Sequence, residues 1–431
     1  MASSMIHDGD KPGDKGASSI GDTHTNHDGR IWIRRPFQII TPLSKPATSG
    51  EPTEVITNCP LPKSTPKSSP KDKLHHIVSS SSTPEEVLKQ IYQSKVELYE
   101  SQFQSRVSKE EKARIQLRTI QSPHGLGEVD ATIYFPGKDD DDDTQHEQRH
   151  LETAPPKLKG ICLHVHGGGW LWGDSKNQVA HRCLEMADSM NVAVVSVEYS
   201  LFCQVNRHCI VNDNSNAFDP VNDVSIAIDW IESKGVEELK AHSSLLASGE
   251  SSGAHLLMLA MLNRRDGEKQ SSTEQCAKSA WKCLNLVYGV YDISGTPSIR
   301  TDGDSSSPLC GNDLLWMYEL YHSKVQCTKQ VTNNESCNQK MSTMDRQHPS
   351  LSPLYANLSH MPPALVTVGT ADPLQDDSLF FASKYSAYGN HVELAIYEGG
   401  EHGIGHFGVQ EDEEMGVRAR RHTLEFMKGY L

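Results

Sequence analysis

The sequence predicts an α/β fold: a mostly parallel, doubly wound sheet with helices on both faces. Two observations predict it. Six short apolar runs, at 160–165, 192–197, 245–248, 284–290, 365–368 and 392–397, are each bounded by turn residues, as strands covered on both faces are. Helical patterns at 178–190, 221–234, 252–264, 376–388 and 411–429 fall between or after them, so strand and helix alternate along the chain.

Ahead of this core, residues 1–75 are rich in Ser, Pro, Thr, Lys, Gly and Asp and read as a disordered N-terminal extension, with 76–431 as a single domain. Thr83 is placed to cap a helix, with Pro84 in its first turn and Glu86 completing a capping box, so a helix is expected over about 82–107. The alternating stretches Arg114–Ile120 and Val129–Phe135, joined by Pro123-His124-Gly125, predict an antiparallel hairpin. The run Asp139–Asp143 repels itself and solvates well, and it lacks the spaced ligands and Gly turn of a calcium loop, so it reads as a surface loop. Two segments break the alternation. Cys203–Ala217, rich in Asn and Cys, follows a strand's carboxyl end, where open α/β sheets place their binding crevice. Residues 295–345 are long and polar, with an amphipathic helix only at Leu314–Tyr321, and read as a cap insertion.

Composition excludes several function classes. The net charge of -15 argues against a nucleic-acid surface, which needs clustered Lys and Arg. The N-terminus has neither the basic start nor the apolar stretch of a secretory signal, and no run of 18 apolar residues occurs. The expectation is a cytoplasmic protein without stable membrane insertion. Mean hydropathy of -0.53 is low for a compact enzyme, because the extension and the insertions carry much of the polarity. Ten cysteines at irregular spacing, with no C-x-x-C pair, argue for free thiols and against a zinc site. Cys203 with Cys209, and Cys327 with Cys337, are the pairs that could bridge in an oxidising compartment.

Chemistry enters with Gly249-Glu250-Ser251-Ser252-Gly253, set between the apolar run at 245–248 and the helix that begins at Ala254. This is a nucleophile elbow in its strand, turn, helix context: the turn lifts the Ser251 hydroxyl above the sheet, and Gly249 and Gly253 let strand and helix approach closely. The second signal is His166-Gly167-Gly168-Gly169-Trp170, directly after the run at 160–165. Backbone N–H groups can reach a developing oxyanion only where side chains are absent, so Gly168 and Gly169, with the N–H of Ser252, are the expected oxyanion hole. In this kind of sheet the acid and then the histidine follow the serine in chain order. Asp372 and His402, each just beyond a strand's carboxyl end, satisfy that order. Asp376 and Asp377 read instead as first-turn acids of the next helix, His406 as a loop residue, and His164 and His255 as packing residues. Glu250 reads either as a tuner of local charge or as a structural hydrogen-bond acceptor.

At these motifs the chain resembles the hormone-sensitive-lipase-like esterases, the α/β-hydrolase fold-3 family, over about 110–430. Val195-Ser196-Val197-Glu198-Tyr199, Ser352-Pro353-Leu354-Tyr355 and Thr367-Val368-Gly369-Thr370-Ala371-Asp372-Pro373-Leu374 also look like that family's. The resemblance implies an eight-stranded sheet, a cap built partly from the N-terminal helix, no cofactor, and a small ester of short to medium acyl chain as substrate. It leaves the oligomeric state open, a dimer included. The chain departs from the family where Tyr199-Ser200-Leu201 leads into the 203–217 insertion, where Gly403-Ile404 replaces the usual Gly-Phe, and in the extension. The same triad would also serve an amidase, arylformamidase or lactone hydrolase, and the same fold a non-catalytic small-molecule receptor.

Overall fold

The structure is a computed structural model that describes residues 97, 101, 107–137, 158–202, 219–271, 280–301, 309–332, 345–404 and 413–431. The N-terminal extension, the Asp139–Asp143 run, the 203–217 insertion, His406, nearly all of the 82–107 helix, and the pairings of Cys203 with Cys209 and Cys327 with Cys337 therefore lie outside the described residues. Glu97 and Ser101 are helical, within the stretch where the sequence predicts a helix.

Eight strands form one sheet: β1 (Ile115–Gln121), β2 (Glu128–Tyr134), β3 (Ile161–Val165), β4 (Ala193–Val197), β5 (Leu245–Glu250), β6 (Trp281–Val287), β7 (Ala364–Gly369) and β8 (Val392–Tyr397). Their order is β1-β2-β4-β3-β5-β6-β7-β8. β2 is antiparallel to both its neighbours and all other pairs are parallel, so β3 to β8 end at one common edge. The near-continuous apolar character of the central strands follows from their being covered on both faces: every residue of β3, β4, β5 and β7 is buried. β1, an edge strand, is mostly exposed, Leu117 included, and only Ile120 is buried.

The long helices are α1 (Ala180–Met190), α2 (Pro220–Trp230), α3 (Ser252–Ser271), α4 (Gly311–Thr332), α5 (Gln375–Ala387) and α6 (Glu413–Lys428). Residues of α2, α3 and α5 pack into one core with Leu163, Ala247 and Val366, while those of α1 and α6 pack on the opposite sheet face with Cys162, Leu246 and Cys283. None of the described helices is long and apolar enough to cross a membrane. On the α1/α6 face a row of buried polar side chains crosses five strands in register: Thr132, Ser196, His164, Ser248 and Asn285. They satisfy one another in part, His164 Nδ1 meeting Ser196 Oγ at 3.2 Å and Asn285 Nδ2 donating to Ser248 Oγ at 3.0 Å.

The larger departures from the sequence reading are at β6, α3, which runs to Ser271 rather than 264, and α4. β6 is shifted toward the N-terminus and stops at Val287 rather than Val290, because Tyr288 adopts φ +36° and leaves the ladder. α2, expected over 221–234, spans that stretch, with its last turn wound as a π-turn at Ile231–Gly235. α4 extends well beyond Tyr321, since its polar second half lacks the apolar stripe by which the sequence signals a helix.

Candidate active site

Ser251 is the single residue between β5 and α3, and its φ of +52° is the left-handed conformation that L-residues rarely adopt. The conformation is held from both sides. Ser251 N–H donates to the Val287 carbonyl at 2.9 Å, and the first turn of α3 returns to the Ser251 carbonyl from Ala254 N–H at 3.1 Å. A Cβ on Gly253 would lie 2.2 Å from the Val165 carbonyl oxygen and 2.4 Å from that of His166, so the start of α3 is pressed against the end of β3. A Cβ on Gly249 would lie 2.8 Å from the Ala254 Cα.

Asp372 follows β7 by three residues and His402 follows β8 by five, so parallel strands ending at one edge bring both beside the serine. His402 Nε2 stands 3.1 Å from Ser251 Oγ, and its Nδ1 stands 3.1 and 3.0 Å from the two carboxylate oxygens of Asp372. Facing an acceptor-only carboxylate, Nδ1 carries the proton, which leaves Nε2 free to accept one from the serine. Asp372 Oδ1 also accepts the Leu374 N–H at 2.8 Å, and its side chain is wholly buried.

The neighbouring acids do other work. Both sit in the first turn of α5, as the sequence suggests, yet their side chains turn inward. Asp377 accepts from Tyr291 N–H, Asp292 N–H and Thr296 Oγ1, and burial pushes its carboxyl up to about 7. Asp376 accepts from Ser298 N–H at 2.8 Å. They tie the loop after β6 to α5 rather than simply charging a helix end.

The glycine loop lies against the elbow: a Cβ on Gly167 would be 3.2 Å from that of Ser251. Gly168 and Gly169 have φ of +125° and +62°, and Trp170 follows at +63°. Among the described residues, no backbone hydrogen bond is donated by the N–H of Gly168, Gly169 or Ser252. His166 braces this loop from beneath. Its ring stacks on Tyr199 at 4.2 Å, its Nδ1 donates to the Gly167 carbonyl at 2.8 Å, and burial lowers its pKa, so it is a neutral strut. Tyr199 Oη donates to the His166 carbonyl at 2.9 Å. No group of three His, Cys, Asp or Glu side chains among the described residues could hold a metal ion.

The sheet that brings this serine, histidine and aspartate together belongs to a fold found in known proteins. A family model described as alpha/beta hydrolase fold matches residues 162–406, more than half of the chain. The chain belongs to the α/β-hydrolase fold-3 family. It falls among the carboxylesterase-type, hormone-sensitive-lipase-like hydrolases. It is 25% identical over 266 residues to an ethyl acetate hydrolase of Pseudomonas putida, covering 60% of this chain and 71% of that protein. A carboxylic ester hydrolase of Mycobacterium tuberculosis is 26% identical over 259 residues, 59% of this chain and 60% of that one. Neutral cholesterol ester hydrolase 1 of Bos taurus is 23% identical over 328 residues, covering 64% and 76%. Among solved structures, a hyperthermophilic esterase from the archaeon Pyrobaculum calidifontis shares the fold with a TM-score of 0.57 at 20% identity, over 84% of this chain and 98% of that one.

Around the elbow and loop lie Arg182, Tyr288 and Met317, which the sequence did not single out, beside Glu250, His164 and His255, which it did. Glu250 is buried and accepts from Arg182 Nη2 at 2.7 Å and from Tyr288 Oη at 3.2 Å, which makes its hydrogen-bonding role a structural observation. From the other side α4 presses on the glycine loop. A Cβ on Gly169 would sit 2.6 Å from Met317 Sδ, and Trp170 stacks on Tyr321 at 4.6 Å. His255 closes this aromatic group, its Nε2 2.7 Å from the Leu351 carbonyl, with burial pushing it down to about 4; it packs, as its place on α3 suggests. His164 is likewise buried, and desolvation holds it well below the usual imidazole range. A Tyr-Gly pair at the end of an apolar run was the only sequence sign of Tyr288, and Met317 and Tyr321 share a stripe indistinguishable from ordinary core.

Proposed function

We propose that this protein hydrolyses carboxylic esters of short to medium acyl chain through an acyl-enzyme, with Ser251 as nucleophile, His402 as base and Asp372 as its orienting acid. The observation that carries the reading is the unbroken contact from Ser251 Oγ through His402 to Asp372, at 3.1 Å and 3.0 Å. His402 Nε2 takes the serine proton as Oγ adds to the ester carbonyl, and the imidazolium is stabilised by the Asp372 carboxylate. The N–H groups of Gly168, Gly169 and Ser252 receive the oxyanion, each donor contributing about 3 kcal/mol to the transition state. Collapse expels the alcohol with the proton returned by His402. Water, deprotonated by the same nitrogen, then releases the acid.

The strained Ser251 backbone fits a nucleophile held in place by its surroundings, as strained residues at active sites are. The name of one relative, an ethyl acetate hydrolase, fits a short ester. In this reading residues 76–431 are one hydrolase domain, and α4, lying on the glycine loop, belongs to its cap.

The test is hydrolysis of p-nitrophenyl esters from acetate to palmitate by wild type, Ser251→Ala and His402→Ala, with fluorophosphonate labelling of Ser251 alongside. Turnover of the shorter esters, abolished in both variants, is expected. A wild type that neither cleaves any ester nor takes the label would overturn the reading; one that labels but cleaves none would move the substrate to amides or lactones.

A further inference from the structure

Tyr288 directly follows β6, and the acyl-transfer chemistry assigns it no part. Three features nonetheless set it apart. Its φ of +36° lies in a region that a bulky L-residue adopts only when its surroundings force it. Its N–H donates to the Thr367 carbonyl at 2.6 Å, tying the strained residue to β7. Its buried side chain spans two halves of the site: the ring packs on the His402 imidazole with centroids 4.6 Å apart at 56°, while Oη donates to Glu250, the residue before Ser251. Glu250 is in turn clamped by Arg182 at 2.7 Å.

We propose that Tyr288, held by Glu250 and Arg182, is a positioning residue that keeps His402 Nε2 aligned with Ser251 Oγ. The inference rests on the esterase reading, with His402 as the base. Asp372 grips the imidazole at Nδ1 alone, and that grip leaves the ring free to rock about the hydrogen-bond axis. A rigid ring on the imidazole face removes this freedom, and the hydroxyl's bond to Glu250 fixes the rigid ring. The link runs from α1 through the strand that carries the nucleophile to the loop that carries the base, so the two reacting groups share one support. Misplacement of a reacting group by about 1 Å costs roughly a hundredfold in rate, which sets the size of effect to look for.

Kinetics of p-nitrophenyl butyrate hydrolysis by wild type, Tyr288→Phe, Tyr288→Leu and His402→Ala test this. Positioning predicts that kcat falls about 3- to 10-fold in the Phe variant and about 30- to 100-fold in the Leu variant, with KM held within about twofold. Fluorophosphonate labelling should slow by the same factors. Folded variants with wild-type kcat and wild-type labelling rates overturn the proposal, whatever happens to their melting temperatures. If Tyr288→Leu does not fold, Tyr288→Phe decides, since it keeps the packing and removes only the tie to Glu250. Activity retained in His402→Ala would overturn the underlying reading and this proposal together, whereas unchanged Tyr288 variants beside a dead His402→Ala overturn the proposal alone.

Discussion

Replacing Gly168 by alanine separates an oxyanion-binding loop from a merely tight turn. At φ +125° no L-residue is comfortable, and the new Cβ would lie 2.0 Å from the Trp172 carbonyl oxygen and 2.8 Å from its carbon. Both are backbone atoms, and the turn that holds them is closed by Leu171 and Trp172 N–H groups donating to the Gly168 carbonyl at 3.1 and 3.2 Å. No side chain can step aside, so the loop itself must shift and carry the Gly168 and Gly169 N–H groups with it. Losing one oxyanion donor costs about 2.7–4 kcal/mol, or about 10²- to 10³-fold in kcat. Gly169→Ala is the matched control. Its φ of +62° is the ordinary left-handed region, costing about 1–2 kcal/mol, and its Cβ meets only the flexible end of Met317. That variant should lose no more than about tenfold. Steady-state kinetics on p-nitrophenyl butyrate, with a thermal melt to confirm folding, measures both. A folded Gly168→Ala enzyme within about threefold of wild type, or one less impaired than Gly169→Ala, would refute the loop's role.

Asp377 gives a pH dependence of stability: its folded pKa, raised by burial from 3.8 to about 7, lies above that of the unfolded chain, so the folded state holds a proton the unfolded state has released. Asp377 should therefore contribute a fall in stability of roughly 4 kcal/mol as pH rises from about 4 to 7, at about 1.36 kcal/mol per unit, levelling off above; because Asp223, which burial raises to about 6, and the buried histidines titrate in the same range, the test is the difference in pH slope between wild type and Asp377→Asn in urea unfolding, and equal slopes would sink the argument. Gly253→Ala places a Cβ against two backbone carbonyls and should destabilise by about 3 kcal/mol or more, so an unchanged melting curve would mean α3 does not sit where described. Cys162, Cys183 and Cys283 are buried, and Cys283 is pushed up to about 12, so native alkylation at pH 8 should leave these three unmodified until denaturant is added, as peptide mapping by mass can read.

The sheet was legible because its strands are covered on both faces and so appear as unbroken apolar runs; β8 falls at the residues expected, and the other expected strands fall within three residues of those observed. The miss at β6 is instructive. Leu286, Val287, Tyr288 and Val290 look like one strand, and only the backbone reversal at Tyr288, a tertiary event, ends it. The residues of the elbow and glycine loop were legible for another reason. Glycines at 168, 169, 249 and 253 record places where a Cβ has no room or φ turns positive, so the backbone geometry of the site is written into residue identity.

Contacts leave no such record. Glu250 stands next to Ser251, yet the partners that define it, Arg182 and Tyr288, are 68 and 38 residues away, and each reads locally as an ordinary helix or strand residue. Asp372 and His402 would be as obscure but for their chain order and their places beyond strand ends. A residue that acts on substrate must sit at the sheet edge, which topology fixes, whereas one that acts on His402 needs only to reach it. Support can therefore come from any element that ends nearby. That asymmetry is why Ser251, Asp372 and His402, which the structure brings together, can be picked out by chain order, while Tyr288 shows only in the packing on the imidazole. It also sets what Tyr288→Phe should look like: a protein with the fold and binding of the wild type, and a slower base.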